Sequence, residues 1–363
     1  MGEKISDIDK AKRLVSERYT VVQAAPSMKT VSGEAFGRAP GTDMERRLIT
    51  LLRELGFRRV FETDFGAELR IMEESAELKE KVDSGKGLPL LTSCCPSWVG
   101  ICVKMHPGLV PYLSTCKSPM EMVSSLTKSY LKEKEGLGDV GVVSIMPCFA
   151  KKMEVAKGNT DVELTIMELV QWANEEDLKI KKMKEGSWDT PMGMTSSAGT
   201  IYASTGGVAE STLRTFIDLF SGERFEEHLY SESELIKEGV REICVEAGGY
   251  KLTVAKVEGV KSIGPFCQKL IKDIKAGKNK YDLVEFMACT GGCVGGNGMP
   301  NQGDDNAITK RIKLLKDYDR RTVIKAAHDN PLIQDIYKSY LGKPFGRKAK
   351  KILHHTNFKE IFS

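Results

Sequence analysis

Three cysteine-bearing segments, far apart in the chain, each lie just past a short apolar run, and this placement constrains the fold more than any other feature. Cys94 and Cys95 follow the run 89–92, Cys148 follows Val140–Met146, and Cys289 follows Leu283–Met287. Open α/β sheets form their ligand crevices outside the carboxyl ends of the strands, so the three segments are expected to converge on one cleft. Runs 58–63, 88–92, 140–146 and 283–287 read as strands. After Gly66 a helix is predicted over 67–82, with Ile71, Ser75, Leu78 and Val82 on one face. Short β-branched runs alternating with longer amphipathic stretches predict an α/β protein: two lobes with largely parallel sheets flanked by helices, a cleft between them, and a helical C-terminal belt.

A chain of 363 residues is long enough for two packed lobes and a sizeable core. We expect a helical segment over 1–20, a first lobe over 21–135, a second over 136–303 and a basic belt over 304–363. Apolar residues at 41% and charged residues at 29% exclude a disordered, collagen-like or disulfide-framework chain. A net charge of +4 is too small to imply nucleic acid as partner. The longest nearly apolar run, 140–150, falls well short of the roughly 20 residues of a membrane span, so no membrane partner is expected. The N-terminus has mixed charges and no apolar signal core, which points to the cytoplasm. Gly2 and Ser6 fit the myristoylation pattern, but so short a pattern carries little weight. The stretch Gly136-Leu-Gly-Asp-Val-Gly141 spells a dinucleotide fingerprint, yet it follows a predicted helix and precedes a strand, the reverse of the required context.

Nine cysteines are an odd count, better suited to metal binding or thiol chemistry than to a disulfide scaffold. Cys95, Cys148, Cys289 and Cys293 form the natural set of four. Cys289-Thr-Gly-Gly-Cys293 is a tight turn carrying two thiols, whose glycines would let the backbone approach a bulky cluster. Structural zinc sites use paired C-x-x-C knuckles, and the chain has none. An iron-sulfur cluster is favoured; zinc and buried or catalytic cysteines stay open as alternatives. Cys102, Cys116, Cys244 and Cys267 are expected in the core, as small apolar side chains.

Three segments resemble the signatures of iron-iron hydrogenases: Thr92-Ser-Cys-Cys-Pro-Ser-Trp98, Met146-Pro-Cys-Phe-Ala-Lys-Lys-Met-Glu154 and Glu285-Phe-Met-Ala-Cys289-Thr-Gly-Gly-Cys293-Val-Gly-Gly296. The likeness runs from Val21-Val-Gln-Ala-Ala-Pro-Ser27 to His328-Asp-Asn-Pro331 in the tail. It implies reversible reduction of protons to dihydrogen at an H-cluster: a 4Fe-4S cluster on the four cysteines, joined through Cys293 to a two-iron subcluster with CO, CN and azadithiolate ligands. Dedicated maturation proteins would supply that subcluster.

The same resemblance assigns roles to further positions. Cys94 would pass a proton to the bridging amine, and Glu74, Ser114 and Glu77 would continue the relay. Lys81 would stand at the exit, where the family normally has Arg. Without the resemblance, Glu74 to Lys81 would read as a solvated helix face. Lys151 would hold an iron-bound cyanide, Pro26 and Ser27 would contact the other, and Met146 and Met287 would pack around the irons. Glu154 would be a structural acid. Thr290, Ser97, Met120, Met299 and the loop Thr195-Ser-Ser-Ala-Gly199 depart from the usual pattern near the cofactor, without touching the four ligands. With about 20 residues ahead of the catalytic region, no ferredoxin-like domain is expected there. Electrons would then come from an external ferredoxin or flavodoxin, steered by a basic surface that agrees with a pI of 8.4. A hydrogen-sensing relative, or an iron-sulfur assembly factor that binds 4Fe-4S without the two-iron subcluster, is the alternative.

Overall fold

The computed structural model describes residues 5–224, 234–237 and 239–358; Gly2 and the end of the tail lie outside the described residues. The described strands are β1 (Tyr19–Ala24), β2 (Arg59–Glu62), β3 (Leu90–Leu91), β4 (Val140–Met146), β5 (Val162–Thr165), β6 (Glu234–Lys237), β7 (Val240–Ala247), β8 (Tyr250–Glu258) and β9 (Leu283–Met287). One sheet has the order β2-β1-β4-β5 and is wholly parallel. Every residue of β4 is buried, as a parallel strand covered on both faces should be.

The second sheet, β3-β9-β8-β7-β6, departs from the expected parallel pattern. β9 runs parallel to β3 and β8, whereas β7 is antiparallel to β6 and β8. The reason is a two-residue hairpin turn: Gly248 and Gly249 have φ of 54° and 81°, the positive pair that reverses a strand within two residues. Cys244 lies on β7 and is exposed, contrary to expectation, while Cys102, Cys116 and Cys267 are buried. The sheets interleave along the chain, since β4 and β5 join β1 and β2 while β3 crosses to β9.

The run 58–63 shortens to β2 because Thr63 already opens the helix Thr63–Ser84. Gly66 lies inside this helix rather than before it. A Cβ there would stand 2.2 Å from the Pro119 carbonyl oxygen, so the glycine permits close approach of the helix Pro119–Glu135. From Thr63 to Ser75 the long helix is continuously buried, and its charged residues must therefore find partners inside the protein.

Beyond β9, the helices Asp305–Arg321, Pro331–Ile336 and Arg347–Leu353 form the belt. Arg311 anchors it by pairing with buried Glu34 at 2.6 and 2.9 Å, and donates to the Val294 carbonyl beside Cys293. Among the described residues, no helix is long and apolar enough to cross a membrane.

Candidate functional site

The carboxyl ends of β1, β2, β3, β4 and β9 open into one cavity. Cys94 and Cys95 enter it after β3, Cys148 after β4, and Cys289 and Cys293 after β9, as the strand pattern predicts. Pro26 and Ser27 follow β1, and Met146, Met287 and Lys151 complete much of the wall.

Local chemistry fixes the cysteine segments. Cys95 stands at the N-cap position of the helix Pro96–Met105 without a side-chain cap, so its thiol stays free, and Pro96 occupies the first turn, where a missing N–H costs nothing. Trp98 in that helix stacks on Phe286 of β9 at 3.8 Å between ring centroids, and its indole donates to the Thr92 carbonyl at 2.9 Å. The first and third cysteine segments are thus locked together one layer behind the thiols. At Gly292 a Cβ would meet the Thr205 nitrogen at 2.6 Å, and at Gly296 the Pro147 carbonyl oxygen at 2.4 Å. Both glycines therefore permit close packing of the third cysteine segment against the backbones of two other loops.

Burial pushes the thiols of Cys94 and Cys148 up to about 12 and that of Cys289 up to about 11, with Cys293 raised as well. Burial thus disfavours the thiolate at these four positions, and a metal cluster would have to displace the protons of those it binds. The wall also holds polar groups that the protein leaves unsatisfied. The hydroxyls of Ser27 and Tyr202 are buried with no well-formed hydrogen bond, although Tyr202 stands beside the Cys94 thiol. Lys151, also buried, donates to Glu154 at 2.8 Å and to the Cys94 carbonyl at 3.2 Å. Glu154 also accepts from Ser118, which suits a structural acid. An electron-rich cofactor with hydrogen-bond acceptors would satisfy this donor set, and four converging thiols suit iron.

A line of buried acids leads away from Cys94. Glu74 and Glu77 are 0% and 4% exposed, so the solvated-face reading fails. Ser114 donates to Glu77 at 2.9 Å, and the Thr115 N–H adds a second bond at 3.1 Å. Burial raises the Glu77 carboxyl, opposed first by the charge of Lys81 and then by the Ser114 bond. Glu74 lies close enough to Cys94 for its charge to raise the thiol, and its Oε2 has no hydrogen-bond partner. Lys81 reaches the Gly87 carbonyl at 3.1 Å on the outer side.

Sequence reasoning missed Arg70, wholly buried one helical turn before Glu74. It donates to Glu74 at 2.7 Å, to Ser93 at 3.1 Å, and to the carbonyls of Cys116 and Lys117. The i, i+4 spacing to Glu74 was its only signal. Tyr202 was missed because nothing in its neighbourhood marks a phenol as facing a cavity.

The chain matches the family described as iron only hydrogenase large subunit, C-terminal domain, over residues 18–297, and iron hydrogenase small subunit over 305–360. It is 34% identical to the NADP-reducing hydrogenase subunit HndD of Solidesulfovibrio fructosivorans, across 94% of this chain and 60% of that protein, so it spans about three fifths of that relative. The solved apo [FeFe]-hydrogenase HydA1 of Chlamydomonas reinhardtii, variant C377H, superposes with a TM-score of 0.84 at 33% identity, covering 96% of this chain and 98% of that one. The mouse cytosolic iron-sulfur assembly component 3 is 28% identical over 97% of this chain and 76% of its own length. A match that runs from β1 through the third cysteine segment, followed by a second over the belt, places the chain in the iron-only hydrogenase family, with large- and small-subunit regions on one polypeptide.

Proposed function

We propose that this protein is an iron-iron hydrogenase interconverting protons and dihydrogen. The observation that carries the reading is the junction, in one cavity, of four thiols suited to a cluster with a fifth, Cys94, that begins a line of buried acids. Cys95, Cys148, Cys289 and Cys293 would hold a 4Fe-4S cluster, with Cys293 shared with the two-iron subcluster. When bound, the two-iron group supplies the electron-rich centre at which the H–H bond forms or breaks.

The chain's own residues orient that group and move protons. Lys151, fixed by Glu154, would offer its ammonium to one cyanide, and the unpaired Ser27 hydroxyl beside Pro26 would serve the other. Met146 and Met287 exclude water with soft, apolar side chains. Cys94 holds a proton at Sγ and hands it inward; Glu74 Oε2 refills it; Ser114 passes protons between Glu74 and Glu77; Lys81 marks the outer end. Each handover moves one proton and leaves the acid ready for the next.

Electrons would come from an external acidic ferredoxin or flavodoxin near half-buried Cys148 and Cys289. The belt carries five Lys or Arg between 343 and 351, of which Lys348 is paired with Glu133. Electron transfer from reduced ferredoxin should slow severalfold between about 20 and 200 mM salt, because screening shortens the reach of the attraction. A rate independent of ionic strength in stopped-flow mixing would remove the electrostatic docking. Nine cysteines without a disulfide agree with a reducing compartment such as the cytoplasm.

The deciding experiment is anaerobic loading with iron, sulfide and a synthetic two-iron subcluster, the last standing in for maturation proteins, followed by hydrogen evolution from a reduced dye. Evolution that requires the subcluster is the expected result. An intact 4Fe-4S cluster with no evolution after loading would favour the assembly-factor reading, which the mouse relative represents.

A further inference from the structure

We infer that Glu77, Cys116 and His354 form a second metal site, for one divalent ion of borderline softness such as Zn2+, at the outer end of the acid line. The three side chains come from distant parts of the chain: Glu77 from the long helix, Cys116 from the segment after Ser114, and His354 from the belt. An antiparallel bridge between Cys116 and His354 brings the last two together, reinforced by the His355 N–H bonding to the Thr115 carbonyl at 2.8 Å. One donor atom from each residue lies within 4.8 Å of the others, and all three residues are buried. Cys116 Sγ stands 4.0 Å from Glu77 Oε2. Two donors sharing a tetrahedral zinc, at about 2.3 Å for sulfur and about 2.0 Å for oxygen, stand about 3.5 Å apart, so a small closure brings this pair to bonding distance, and the imidazole must close from within 4.8 Å.

The donor set is one thiol, one imidazole and one carboxylate, which suits zinc or cobalt and disfavours magnesium and calcium. His354 Nε2 lies 2.8 Å from Glu73 Oε2, which leaves Nδ1 to face a metal; Nδ1 sits 2.7 Å from the Thr115 hydroxyl, a contact that binding would exchange for the ion. Glu73 is in turn held by the Tyr337 hydroxyl and the Phe345 N–H. A carboxylate behind a histidine is the usual support of a zinc-binding ring. Three protein ligands leave a fourth position for water. On binding, Cys116 Sγ exchanges its proton for the metal and the proton leaves to solvent; no electron moves.

The consequence for turnover rests on the relay proposed above, whereas the binding itself does not. Glu77 is shared between the site and Ser114, and a carboxylate engaged by a dication no longer carries protons. Zinc should therefore inhibit the loaded enzyme while the H-cluster stays intact.

The test is zinc titration of the loaded protein, with hydrogen evolution, the infrared bands of the two-iron group and zinc-edge X-ray absorption read on the same samples. We expect one retained zinc per chain, with one sulfur at about 2.3 Å and nitrogen or oxygen at about 2.0–2.1 Å. Cys116→Ala should lose the sulfur scatterer and weaken zinc retention at least tenfold. His354→Gln provides a second variant should the first fold poorly. Retained zinc with that signature supports the site; if activity then persists, the relay through Glu77 is what fails. A zinc signature with two or more sulfurs, or equal zinc retention by wild type and both variants, would overturn the proposal, since the metal would then sit on the cluster cysteines.

Discussion

Cys94→Ala should lower hydrogen evolution by a factor of at least about 100 while the cofactor remains bound. A positioned proton donor contributes about 10²–10⁴ in rate, and among the described residues Cys94 is the only thiol of the cavity outside the four-cysteine set. The substitution deletes a single sulfur. Its backbone neighbours stay fixed, because Ser93 donates to the Ser114 carbonyl at 2.8 Å and Lys151 reaches the Cys94 carbonyl rather than its side chain. Cys94→Ser tests the same point with less change in volume: a hydroxyl holds its proton far more tightly than a thiol and should be nearly as inactive. Iron content, the infrared bands of the two-iron group and dye-linked evolution need to be read together. Wild-type turnover by the alanine variant, with the bands intact, would remove Cys94 from the relay.

Much of this site was legible in the sequence because strand ends and cysteines are both local signals. β4 and β9 have the bounds that their apolar runs predict, and the cysteines after them reach one cavity as expected. Other features depend on what lies across the fold. Gly66 reads as a helix boundary until the Pro119 carbonyl is seen against it. Cys244 has the composition of a core position, but it falls at an exposed position of β7, the strand that the Gly248-Gly249 turn pairs with β8. Arg70 looks like one more charge on a polar helix, since burial of the helix on all sides from Thr63 to Ser75 cannot be read from a pattern in which acids and apolar residues mix on every face. Glu73 shows the same limit: its partners, His354, Tyr337 and Phe345, are all more than 260 residues away.

Arg70→Met should destabilise the fold by about 3–5 kcal/mol, the cost of breaking a fully buried ion pair from one side. Both partners are 0% exposed, so Glu74 would be left as an uncompensated carboxylate in the interior. The carbonyls of Cys116 and Lys117 would lose their donors as well. The guanidinium also orients the Glu74 carboxylate at 2.7 Å, so slower turnover should accompany the lost stability. The double variant Arg70→Met/Glu74→Gln separates the two effects. Removing the second charge should restore part of the stability, because no ion is then stranded, while activity should stay low because an amide cannot relay protons. Chemical denaturation of all three proteins, matched for cluster content, measures this directly. A double variant as unstable as Arg70→Met alone would show that the guanidinium matters only for the carbonyls it caps, and recovery of activity in that double variant would take Glu74 out of the proton path.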